Sequence, residues 1–121
     1  MPVRGATARA FDTESERDLN LREMLARVAA EHGGRIALTC GDRSYSYAEL
    51  ESVSDRVAAA LKGMGVSRGD RVALALPNCP EFVFIYLGAV KMGAVAVPLD
   101  PKLKYAELAS LLKHARPKVL F

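Results

Sequence analysis

Tryptophan is absent from the 121 residues, and cysteine and histidine occur only twice each. Cys40 and Cys79 stand far apart, in no CxxC or metal-ligand spacing. That excludes a disulfide scaffold and a zinc ribbon, and predicts two reduced, unpaired thiols of the kind a cytoplasmic protein carries. His32 and His114 fall at the ends of predicted helices, where the dipole favours a cation, and neither belongs to a metal-binding cluster. Long apolar runs are missing too. The strongest, Phe82 to Val90, falls far short of the roughly 20 residues a membrane span needs. The first residues hold no continuous apolar stretch, so no secretory signal is visible. Charge of one sign is also scarce, with a net value of +3. Lys102, Lys104, Lys113, Arg116 and Lys118 gather around a single Glu107. They are too sparse and too poor in interleaved aromatics for a nucleic-acid surface, and read as a solvated or docking face.

Catalytic signatures are missing as well. There is no GxxxxGK[ST] loop, no HExxH, no GxSxG and no Ser/His/Asp set. Gly63, Gly65 and Gly69 come near a GxGxxG fingerprint. Their spacing is one residue too long, however, and they follow a helix rather than a strand, so a helix stop plus a turn is the better reading.

What is present is an ordinary globular composition, half apolar and a quarter charged, in one domain's length. Residues 1–18 are polar, rich in small side chains and without periodicity, and are expected to form a loose leader. Residues 19–121 carry alternating helix and strand patterns. Asn20 caps a first helix, with Glu23 at the reciprocal capping position and Leu21, Met24, Leu25, Val28 and Ala29 on its apolar face. Gly33-Gly34 ends it. Ile36 to Cys40 and Arg43 to Tyr45 read as a hairpin around Gly41-Asp42, a turn pair in reversed order that leaves the turn type open. Ser46 and Glu49 open a helix over Tyr47 to Lys62, with Leu50, Val53, Val57 and Leu61 as its buried stripe. Gly69-Asp70 turns the chain into a strand over Arg71 to Leu76. Asn78 is the expected cap of a helix from Pro80 to Met92. That helix is apolar on every side, so it is either enclosed or awaits a partner. Gly93 stops it, and a strand follows over Ala94 to Val97, apolar on both faces as in a buried parallel sheet. A helix over Tyr105 to Ala115 is expected to bury Leu108, Leu111, Leu112 and Ala115, and Lys118 to Phe121 begins another strand. The pattern β-α-β-α-β predicts an α/β fold, a partial doubly wound parallel sheet with flanking helices.

Three stretches together resemble the adenylate-forming, AMP-binding enzymes. SYSYAEL (Ser44 to Leu50) resembles their first core motif, GVSRGDRVALALPNCPEF (Gly65 to Phe82) the linking strand and helix, and VKMGAVAVPLDP (Val90 to Pro101) the second core motif. The likeness covers nearly the whole chain, from about Leu21 to Phe121. The wording NCPEFVFIYLGAVKMGAV is closer to acyl-CoA ligases than to amino-acid-activating domains. The resemblance implies the N-terminal α/β part of the large domain of a fatty acid–CoA ligase. Such an enzyme uses ATP and magnesium to make an acyl-adenylate, which CoA then attacks. A peptide-synthetase adenylation domain, or a non-catalytic binding or self-associating module, is the alternative.

In that family the phosphate-gripping loop, the ribose-binding acids and the catalytic lysine lie downstream of the matched region. The chain is therefore expected to behave as a fragment whose partner is the remainder of such an enzyme. On its own it is expected to hold no catalytic residue, metal or cofactor, and to tend towards a homodimer. Tyr47, Glu49, Gly93, Pro98 and Pro101 match motif positions and read as structural. Glu81 is a helix-start carboxylate or a ligand contact. Asp100, at a strand's carboxyl end, is the one weak candidate for lining a cleft, against a plain turn role. Lys104 stands where the family pattern has a Ser or Thr cap, which leaves the start of the last helix without its usual side-chain acceptor.

Overall fold

The computed structural model describes residues 20–121, so the expected leader over residues 1–18 lies outside the described residues. Asn20 opens α1 (Leu21–His32) as its sequence predicts: Oδ1 accepts the Glu23 N–H at 2.9 Å. Only Leu25 of its apolar face is buried, while Leu21 and Met24 stay exposed. β1 (Ile36–Cys40) and β2 (Arg43–Ser46) form the antiparallel hairpin. Gly41 has φ of +61° while no positive φ occurs at Asp42, the sign pattern of a type II′ turn. Ser46 caps α2 (Tyr47–Gly63), its Oγ accepting the Glu49 N–H at 3.1 Å. The capping box closes differently from its usual form, because the Glu49 carboxylate accepts from the Ser46 hydroxyl rather than from its backbone N–H.

β3 (Arg71–Leu74) is shorter than the run to Leu76, since its pairing with the next strand ends at Leu74. α3 (Pro80–Lys91) begins with Cys79, not Asn78, at the N-cap. Proline forces the residue before it into extended backbone, so Cys79 (φ −149°) has to be the boundary, and Asn78 lies one position too far out to cap. At the other end Gly93, with φ of +81°, makes the expected left-handed stop. The Ala94 N–H donates back to the Ala89 carbonyl at 2.9 Å. That bond commits Ala94 to the helix closure, and β4 accordingly covers Val95–Pro98. α4 (Tyr105–Ala115) starts at Lys104 without a side-chain cap bond and ends on Arg116 in the left-handed conformation. Contrary to expectation none of its residues is buried. Leu108, Leu112 and Ala115 are half-covered and Leu111 is exposed. β5 (Val119–Leu120) completes the sheet.

The three strands lie parallel in the order β4-β3-β5, with Val72 opposite both Ala96 and Val119. The chain thus steps from β3 to β4 in one direction and returns past β3 to β5 in the other. Right-handed crossovers then put α3 and α4 on opposite faces, which is the doubly wound arrangement. Side chains sort by the two-residue period of the strands. Val72, Leu74, Ala96 and Val119 join the core with Leu61, Val66, Ala89 and Met92, whereas Ala73, Val97 and Leu120 alternate to the α4 face. The apolar helix α3 is enclosed within the chain: it packs against α1, α2, β1, β3 and β4, and only Glu81 of its residues is exposed. Gly88 allows the closest part of this packing. A Cβ there would sit 2.5 Å from Val57 Cγ1 and 3.1 Å from the Ala58 nitrogen.

Candidate functional site

In an open α/β sheet the place for a ligand is the crevice at the carboxyl ends of two neighbouring strands whose connections leave to opposite faces. Here that place lies between β3 and β4. The loop 75–79 runs to α3 on one face and the loop 99–104 to α4 on the other. Backbone bonds brace the two loops. The Leu99 N–H donates to the Leu74 carbonyl at 2.8 Å, and the Ala75 N–H to the Phe121 carbonyl at 2.8 Å. Pro98 and Pro101, which offer no N–H, stiffen the second loop.

Asp100 stands at this edge, as its position in the sequence predicts, and its side chain is used locally. Oδ1 accepts the Lys102 N–H at 2.9 Å and the Asp100 carbonyl accepts the Leu103 N–H at 3.2 Å, which folds the loop into an Asx-type turn. Its carboxylate therefore shapes the loop and has one oxygen committed. Glu81 lies on the other side, at the first turn of α3. Its carboxylate is held below the ordinary glutamate range, first by its own backbone N–H, then by the Cys79 thiol and the Arg43 guanidinium. Arg43 reaches it from β2 at 3.3 Å and, beside Tyr45 and Glu81, is held above its ordinary value. With the edge-on contact of Tyr45 and Phe84 (ring centres 5.1 Å apart), this pair fastens the hairpin to α3. Glu81 and Asp100 are not brought into one cluster by any contact.

The polar cluster that the sequence did not reveal lies at the far end of α3. Lys91, only 4% exposed, places Nζ 2.9 Å from Glu51 Oε2, 2.9 Å from Asp55 Oδ1 and 3.1 Å from the Glu51 carbonyl. The contact to Glu51 Oε2 is ionic and lacks hydrogen-bond alignment. The i, i+4 spacing of Glu51 and Asp55 on α2 was the available signal, but nothing in a single sequence says which lysine it faces. This is an inter-helix tie, far from the crevice.

Among the described residues no three of His, Cys, Asp and Glu gather as they would around a metal ion. Cys40 and Cys79 are unpaired and half-buried. No helix among the described residues is long and apolar enough to cross a membrane. The crevice between β3 and β4 thus presents a braced backbone edge, with the Asp100 turn beside it.

The architecture is a small doubly wound α/β sheet with a crevice of the ligand-binding kind, and comparison with known proteins gives the family. The AMP-binding enzyme model matches residues 25–121, and the chain belongs to that family. The crotonobetaine/carnitine–CoA ligase of Salmonella paratyphi B is 39% identical over 106 residues, 84% of this chain and 20% of that protein. Among solved structures, the N-terminal domain of FACL13 from Mycobacterium tuberculosis is 35% identical with a TM-score of 0.80, over 84% of this chain and 26% of that one. The Mycobacterium tuberculosis fatty acyl CoA synthetase is 33% identical, TM-score 0.80, over 91% of this chain and 22% of that one. The anthranilate CoA ligase AuaEII is 32% identical, TM-score 0.79, over 86% and 21%. The chain spans about one fifth of the length of the curated relatives it matches.

Proposed function

We propose that this chain is the N-terminal scaffold of an AMP-forming carboxylic acid–CoA ligase, with a fatty acid as the acid. Its part is to present the braced β3–β4 edge, while ATP, magnesium and CoA are handled by the remainder of the enzyme. The observation that carries this reading is the family match over residues 25–121 joined to 39% identity with a CoA ligase. The fatty acid is supported by the likeness to a fatty acyl CoA synthetase, at 33% identity over 91% of the chain. A second reading, an adenylating enzyme for an amino acid, draws support from VinN, solved with 3-methylaspartate and 32% identical with a TM-score of 0.79.

The test is a chimera in which this chain replaces the matching segment of the Mycobacterium tuberculosis fatty acyl CoA synthetase. The expected result is ATP-dependent formation of a fatty acyl-CoA thioester with release of pyrophosphate. A folded chimera that turns over no fatty acid would reject the reading. Adenylate formation from an amino acid, without thioester, would favour the second.

A further inference from the structure

Cations gather at the amino end of the parallel sheet. Arg71 opens β3, and its carbonyl accepts the Lys118 N–H at 2.7 Å, so the two residues stand at the starts of neighbouring strands. Arg71 Nε donates to the Ala115 carbonyl, which brings in Arg116 at the end of α4. A Cβ on Gly65 would lie 3.9 Å from Lys118 Cε, and the Gly65 N–H donates to the Lys62 carbonyl at 3.0 Å. Arg68 leans over Gly93, where a Cβ would lie 2.9 Å from its Cγ. With Leu21 and Arg22 it lines an open hollow of about 250 Å³ at the end of α3. Arg22, Lys62, Arg68, Arg71, Arg116 and Lys118 are all exposed, and none has an ion pair among the described residues. Lys91 reaches the same hollow, but Glu51 and Asp55 hold its ammonium. The acids nearby are engaged: Glu23 with Asn20, and Asp70 with the Ser67 N–H at 2.8 Å. Helix dipoles account for Lys62 and Arg116, which lie at the negative ends of α2 and α4. They do not account for the rest. Arg22 lies in the first turn of α1, where the dipole disfavours a cation, Arg68 in a loop, and Arg71 and Lys118 at strand starts. Exposed apolar side chains are set among these cations. Leu21 (42% exposed) shares the hollow of Arg22 and Arg68, Met64 (52%) adjoins Gly65, and Val95 (49%) pairs with Arg71.

We infer that this end of the sheet, centred on Arg22, Arg68, Arg71 and Lys118, is a docking surface for an anionic lipid bilayer. Like charges left without counter-charges repel one another, and complementarity calls for a polyanion. The side chains between the cations choose which one. Leu21, Met64 and Val95 are aliphatic, and such groups enter the acyl boundary of a bilayer while Arg and Lys stay level with its phosphates. Nucleic-acid surfaces interleave their cations with stacking aromatics, and no aromatic stands in this group. The hollow of Arg22 and Arg68 gives a headgroup phosphate a place beside two guanidinium groups. The β3–β4 crevice lies at the opposite, carboxyl end of the same strands, so docking leaves it open. The surface is independent of which acid the enzyme activates.

Co-sedimentation of the full chain with vesicles tests it, using phosphatidylcholine alone and phosphatidylcholine mixed equally with phosphatidylglycerol. The chain should bind the mixed vesicles and not the neutral ones. Each cation close to an anionic surface is worth about fivefold in affinity. The triple variant Arg22→Gln/Arg68→Gln/Lys118→Gln should therefore bind about a hundredfold more weakly. Arg35→Gln/Arg56→Gln/Lys104→Gln removes the same charge from other surfaces and should lose less than about tenfold. Leu21→Ser/Met64→Ser keeps every charge and should weaken binding about fivefold or more. A measurement on the unchanged chain needs no variant to fold: mixed vesicles should shield Lys62 and Lys118 from acetic anhydride, read by peptide mass, and leave Lys102 and Lys104 reactive. Absence of binding to the mixed vesicles overturns the inference. So does an equal loss in the two triples, which reports net charge alone, and so does full binding by the serine pair. Equal acetylation of all four lysines with and without vesicles overturns it as well. Tighter binding to a DNA duplex than to vesicles at the same salt would assign the surface to nucleic acid instead.

Discussion

Lys91 lies across the α2–α3 interface with its ammonium 2.9 Å from Glu51 Oε2 on the preceding helix, the lysine buried and the glutamate half-buried. A buried ammonium tolerates its site only while it is paired, because desolvation otherwise outweighs what the packing of its stem returns. Three variants should therefore rank in order. Lys91→Ala removes both the charge tie and the buried stem, and should cost the most, about 2–5 kcal/mol as a large-to-small truncation. Lys91→Met keeps the stem and should cost less. Asp55→Asn, whose side chain is 61% exposed, should cost at most about 1 kcal/mol. Urea unfolding midpoints at constant m-value check the ranking, and an Asp55→Asn loss equal to that of Lys91→Ala would contradict it.

Gly88→Ala places a methyl 2.5 Å from Val57 Cγ1. Alanine gains about 1 kcal/mol of helix propensity over glycine, but overpacking a close contact of this kind costs about 1–3 kcal/mol. The obstacle is a β-branched side chain and the backbone nitrogen of Ala58, neither of which moves cheaply, so a net loss of about 1 kcal/mol or more is expected. A companion variant, Gly88→Ala with Val57→Ala, should recover part of it. Thermal melts of the two variants decide, and a stabilised Gly88→Ala would show that α2 and α3 are not in contact there.

Glu81 links the stability of the hairpin contact to pH. A carboxylate whose folded-state pKa lies below its unfolded value adds stability above the unfolded pKa. It loses that stability as pH falls through the folded value. Glu81 is such a group, so its contribution is present at neutral pH and disappears in the acid range below the ordinary glutamate pKa. Carboxyl carbon NMR should titrate Glu81 below the ordinary glutamate range. Arg43→Ala should raise its pKa only in part, because the backbone N–H is the larger cause. Full return to the ordinary value in that variant would assign the shift to Arg43 instead.

The order of elements and the parallel sheet were legible because local chemistry and pattern agree in this chain. Asn20 and Ser46 cap where they should, Gly93 stops a helix, and Ala94 to Val97 is apolar on both faces. What escaped was everything decided by pairing at a distance. Lys91 reads as a basic residue at a helix end, and only the α2–α3 packing makes it a buried partner of Glu51. Gly88 reads as a weak point in α3, and only its approach to Val57 gives it a purpose. The all-apolar α3 pointed equally to enclosure and to a missing partner. Enclosure holds for α3, while α4, whose regular leucine spacing promised burial, is left with no buried residue. For the candidate site, the strand-end position of Asp100 was readable, but its turn bond to Lys102 was one of two open readings until the loop was seen.

The central claim is that this chain supplies the scaffold of an AMP-binding enzyme and leaves nucleotide chemistry to the rest. Titration calorimetry of the purified chain with ATP and magnesium, paired with a pyrophosphate-release assay in the presence of fatty acid, tests it most directly. The expected result is no heat of binding at micromolar ATP and no pyrophosphate above background. Micromolar affinity for ATP, or measurable turnover by the chain alone, would contradict it.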